Sequence, residues 1–126
     1  MFKRTHLLRT LLIAGMATAM SLVSGVASAH ARVVSTTPAA NASVASPSLI
    51  QVTFNEAIET KLSSLKLAAA DGSAVSVMSM NDAKDPATLS IMPNAPLKAG
   101  TYTATWSVVS DDGHKTHGTF SFTVHR

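Results

Sequence analysis

The stretch SDDGHKTHG, residues 110–118, holds the densest set of groups able to do chemistry. Asp112 and His114 stand on either side of Gly113. In an extended chain alternate residues share a face, so the carboxylate and the imidazole point the same way, with the glycine bending between them. Such a pair can grip one metal ion or form a hydrogen-bonded couple. Asp-x-His alone does not choose between these, and a plain polar loop around an Asp-Gly turn reads the same way.

Two other positions add to the pair. Glu56 continues the register Ile50, Val52, Phe54, which places it on the side those residues bury. A carboxylate there costs free energy unless it is paired, hydrogen-bonded or bound to a metal, or has already reached water at the strand end. Glu59 reads as an ordinary surface acid. His30 stands directly behind Ala27-Ser28-Ala29. In a chain cut just before it, His30 offers a free α-amine and its ring Nδ1, which close a six-membered chelate on one ion. The amine has a reference pKa of about 8, so metal binding must displace its proton. An amine nitrogen, two imidazoles and a carboxylate form a tetragonal N,O set that suits Cu(II).

The cut itself is legible. Lys3, Arg4 and Arg9 form a basic start, LLIAGMATAMSLVSGVA follows, and Ala27-Ser28-Ala29 gives the small-residue cleavage pattern. This is the layout of a secretory signal peptide over residues 1–29; the apolar run, diluted by Ser, Thr and Gly, suits a membrane anchor less well. A cut after Ala27 is the competing site. Three of the ten Lys and Arg lie in this leader and none of the seven Asp and Glu, so the remainder, residues 30–126, balances seven against seven. The sequence pI of 9.6 therefore describes mostly the leader. No basic surface is left to suggest nucleic acid or an anionic membrane. The chain has no cysteine, which excludes disulfides, thiol nucleophiles and thiolate metal sites.

The elements that must position these groups read as strands. Ile50-Val52-Phe54, Leu65-Leu67-Ala69, Leu89-Ile91, Tyr102-Ala104-Trp106-Val108 and Phe120-Phe122-Val124 all alternate with period two. Asp71-Gly72 predicts a hairpin turn into Val75 and Val77, Lys98-Ala99-Gly100 a turn into Tyr102, and Val33-Val34 a strand near the start. No segment has a helical period, and the prolines from 38 to 96 fall between strands or end them. The expectation is an all-β fold, a small Greek-key sandwich or barrel of about seven strands. Trp106 reads as core, with a place beneath the site as the alternative. His117 and His125 are left outside the site.

Taken together, these features make the sequence resemble the CopC family of periplasmic copper-binding proteins along all of residues 30–126. The matching pieces are His30, STTPAANASV, IQVTFNEAIE, PLKAGTYTATWSVVSDDGH and the closing TFSFTV. The resemblance implies a cupredoxin-like or immunoglobulin-like β-barrel. It also implies a copper(II) site of His30 through amine and ring, Asp112 and His114, with Glu56 nearby. Some members carry a second, copper(I) site in a methionine-rich loop. Here the corresponding DGSAVSVMSMNDAKD has only Met78 and Met80 and no histidine, and Met92 lies on another strand. These methionines read as core or surface apolar residues, which places the chain in the copper(II)-only branch.

The expected function is that of a non-enzymatic periplasmic copper(II) carrier or buffer in copper homeostasis and resistance. It would act as a monomer and deliver its ion to an inner-membrane copper transporter of the CopD type. Two other readings stand beside it. One is a histidine-brace mono-copper oxidoreductase, against which Asp112 crowds the position oxygen needs and one Trp and one Tyr give no stacking platform. The other is a metal-free structural β-sandwich.

Overall fold

The computed structural model describes residues 30–82 and 84–126. The expected leader, residues 1–29, lies outside the described residues. Eight strands form two four-stranded sheets: β1 (Val33–Thr37), β2 (Ser43–Val44), β3 (Ile50–Phe54), β4 (Ser64–Ala69), β5 (Val77–Ser79), β6 (Thr88–Pro93), β7 (Gly100–Val109) and β8 (Lys115–Val124). The strand order is β1-β3-β6-β5 in one sheet and β2-β8-β7-β4 in the other. Every pairing is antiparallel except that of β2, which runs parallel to β8. The described residues contain one 3-10 turn, Thr60–Leu62, and no helix long and apolar enough to cross a membrane.

Alternation builds the core. On β3 the buried positions are Ile50, Val52 and Phe54; on β7 they are Tyr102, Ala104, Trp106 and Val108; on β8 they are Phe120, Phe122 and Val124. With Leu65, Leu67, Leu89 and Ile91 these side chains form one cluster between the sheets. Phe54 of one sheet meets Trp106 of the other edge to face, ring centroids 5.1 Å apart. Trp106 lies against Gly118 of β8, where an added Cβ would come within 2.5 Å of its ring. The all-β sandwich expected from the sequence is the fold observed.

Two details depart from expectation. The strand count is eight, because β2 is two residues long within NASVAS and carries no periodicity to read. The hairpin at Asp71-Gly72 forms, with Gly72 at φ 88° and Asp71 accepting from the Ser73 amide and hydroxyl. It holds only as far as Val75, whose amide bonds to Leu67. The chain then leaves that sheet, and Val77–Ser79 pair with β6 in the other. Only half of the expected hairpin is therefore a hairpin; its second strand turns the corner of the sandwich.

Candidate metal centre

The turn from β7 to β8 is built within five residues. Ser110 donates its amide to the His114 carbonyl at 2.9 Å, and Gly113 donates its amide to the Ser110 carbonyl at 2.8 Å. Gly113 sits at φ 88°, a conformation glycine adopts without a Cβ penalty. β8 starts directly after, at Lys115, so the polar run at 110–118 is half turn and half strand. His117 is part of that strand. It lies opposite Ser107, is exposed, and is out of register with Phe120, Phe122 and Val124, so it faces away from the core.

Within the turn, Asp112 and His114 form a hydrogen-bonded couple. Asp112 Oδ1 lies 2.9 Å from His114 Nδ1, with both side chains about half exposed. The same oxygen accepts from the Ser110 hydroxyl and, at 3.3 Å, from the His114 amide. These donors stabilise the ionised carboxylate. The Ser110 hydroxyl, then the His114 side chain, hold Asp112 down to about 2 from its usual 3.8.

The first described residues are brought to this turn by a clamp. The Arg32 amide donates to Asn55 Oδ1 at 2.7 Å, and the Asn55 amide donates to the Arg32 carbonyl at 2.9 Å. Ala31 is buried in the core, and the Thr116 hydroxyl of β8 lies 3.5 Å from its carbonyl oxygen. His30 then stands against His114, ring centroids 4.9 Å apart and nearly perpendicular.

Glu56 lies in the bend after β3 and is half-buried. Its neighbours are tied on both sides: Asn55 to Arg32, and Ile58 by a bridge to Ser110, with the Glu59 amide bonded to the Val109 carbonyl. These ties put Glu56 at the same end of the sandwich as the other three. Glu59 is exposed.

His30, Asp112 and His114 are thus assembled, but the arrangement is not a closed cage. Among the described residues no three His, Asp or Glu side chains stand close enough to enclose an ion. In the full chain the His30 nitrogen is an amide joined to Ala29, and His114 Nδ1 is occupied by Asp112. The sequence missed Ser110 and Asn55. Ser110 was visible as the next inward position after Ala104, Trp106 and Val108; nothing in the sequence distinguished Asn55.

The methionines among the described residues lie elsewhere. Met78 of β5 pairs directly with Met92 of β6, on the sheet edge opposite β1, and Met78 and Met80 are exposed. Two of the three are surface residues, and Met92 is half-buried.

Fold and site together define a two-sheet β-sandwich protein with a nitrogen-and-oxygen donor cluster at one end. The CopC domain family matches residues 33–125, and the chain belongs to that family. It is 40% identical over 121 residues to Copper resistance protein C of Pseudomonas syringae pv. tomato, covering 91% of this chain and 92% of that one. Among solved structures it is similar to PcoC, a methionine-rich copper resistance protein from Escherichia coli, with a TM-score of 0.71 and 36% identity over 77% of this chain and all of PcoC. CopC from Methylosinus trichosporium OB3b gives a TM-score of 0.70 and 31% identity, over 75% of this chain and 93% of that one.

Proposed function

We propose that residues 30–126, freed from the leader at Ala29, are a periplasmic copper(II) carrier or buffer in copper homeostasis and resistance. The names of the relatives support the copper assignment: Copper resistance protein C and PcoC, a copper resistance protein. The observation that carries the reading is the His30 ring set against His114, with Asp112 bonded to Nδ1 of the latter.

Cleavage turns the His30 nitrogen from an amide, a poor donor, into an amine that chelates together with Nδ1 of its own ring. His114 offers an imidazole nitrogen once its hydrogen bond to Asp112 opens, because one ion cannot touch both Nε2 and a carboxylate bonded to Nδ1 of the same ring. Asp112 supplies carboxylate oxygen, and Glu56 stands at the same end as a second carboxylate. Imidazole, amine and carboxylate favour Cu(II), whereas Cu(I) prefers the softer thioethers. Copper here is cargo. It is held without turnover by a single chain and passed to an inner-membrane copper transporter of the CopD type.

The test is a copper(II) titration of the chain beginning at His30, run beside a form with one extra residue in front of it. The processed form is expected to bind far more tightly. Equal affinity of the two forms would remove the terminal chelate from the site.

A further inference from the structure

A hydroxyl that faces the core is costly to bury unless something accepts its proton. Ser110 occupies such a position. It continues the register of Ala104, Trp106 and Val108, and only 1% of its surface is exposed. Its backbone is fixed on both sides, by the bridge to Ile58 and by the bond to the His114 carbonyl. From this rigid place its hydroxyl reaches outward to Oδ1 of Asp112, a side chain that is itself about two-fifths exposed.

All three hydrogen bonds that Asp112 accepts in the turn fall on the same oxygen. Oδ1 takes the Ser110 hydroxyl, the His114 ring nitrogen and the His114 amide. Oδ2 takes none of them. We infer that Ser110 is a positioning residue of this site: with the His114 amide it holds Oδ1 of the Asp112 carboxylate and leaves Oδ2 turned out to the cation. This assignment rests on the copper reading above. Partners behind metal ligands are typically worth about 10–100-fold in metal affinity, because they remove the freedom the ligand would otherwise lose on binding.

The test is a double-mutant cycle in copper(II) affinity on the chain beginning at His30. The electron paramagnetic resonance spectrum of each copper-loaded form and the melting temperature of each metal-free form are measured alongside. S110A is expected to keep the fold with a melting temperature lowered by only a few degrees, to bind copper(II) roughly tenfold or more weakly, and to shift the copper hyperfine splitting. S110T, which restores a hydroxyl, is expected to return the parental spectrum. In a D112A background, S110A is expected to cost nothing further, because the partner it acts through is gone. Parental affinity and spectrum in S110A overturn the inference, as does a full additional loss in the D112A background. Failure of S110T to recover any of the spectrum counts against it in the same way. A parent that binds no copper(II) overturns the copper reading itself, and this inference with it.

Discussion

Oδ1 of Asp112 lies 2.9 Å from Nδ1 of His114 and also accepts the hydroxyl of Ser110. The carboxylate is therefore stabilised in its ionised form, and its pKa falls to about 2. A group whose folded pKa lies below its unfolded value stabilises the fold when ionised. Its contribution is complete above roughly pH 4, the ordinary carboxylate range, and is lost as pH falls towards 2. The expected result in carboxyl NMR of the metal-free protein is an Asp112 midpoint near 2. In S110A the midpoint should move up towards the ordinary value of 3.8. A midpoint near 4 in the parent would mean that the couple does not persist in solution.

Alternation located the strands, but the Asp112–His114 pair lies in the turn between β7 and β8, where period two does not apply. Asp112 and His114 do touch, but through a turn with Gly113 at φ 88° and not through the shared face of an extended strand. Whether the pair would chelate or hydrogen-bond was open in the sequence; in the structure it is hydrogen-bonded. The nearness of His30 to His114 could not come from spacing. It depends on Asn55 capturing Arg32 across 23 positions of chain, and a polar residue at the end of a strand announces no partner. Likewise β2 and the corner after Val75 are set by tertiary pairing, and two or three residues hold too little pattern to show it.

Copper affinity is expected to rise with pH. An α-amine with a reference pKa of about 8 must lose its proton to bind, so each unit of pH below that value lowers the apparent affinity by up to about tenfold. Isothermal titration at several pH values between 6 and 8 is expected to show this slope for the chain beginning at His30. A form with one residue added before His30 moves the amine off the chelate and is expected to give a shallower slope. Identical slopes would mean that the terminal amine takes no part.

Gly118 has no room for a side chain. An added Cβ would stand 2.5 Å from Cζ2 and 2.9 Å from Cε2 of Trp106, a buried ring also packed edge to face against Phe54. Neither ring can shift without disturbing both sheets. Gly118→Ala is expected to destabilise the fold by about 1–3 kcal/mol, the usual range for overpacking. Urea denaturation followed by Trp106 fluorescence measures this. Unchanged stability would show that the indole relaxes freely.

Asn55 is expected to matter more for copper than for the fold. Its side chain accepts from the Arg32 amide, and its own amide donates to the Arg32 carbonyl, so N55A removes one bond of the clamp and keeps the other. The lost bond is exposed. The stability cost should therefore sit at the low end of the usual range for a hydrogen bond, about 0.5–1 kcal/mol. His30 lies two residues before Arg32 of the clamp, and a looser clamp lets its chelating nitrogens wander from His114. Ordering such a segment on binding costs about 0.5–1.5 kcal/mol, roughly a few-fold to tenfold in affinity. N55A in the chain beginning at His30 is expected to show that loss in a copper(II) titration, with a melting temperature lowered by only a few degrees. In the form extended before His30 the same substitution is expected to change affinity much less, because the segment it anchors no longer delivers an amine. An equal loss in both forms would mean that Asn55 serves the sandwich alone and that His30 finds His114 without it.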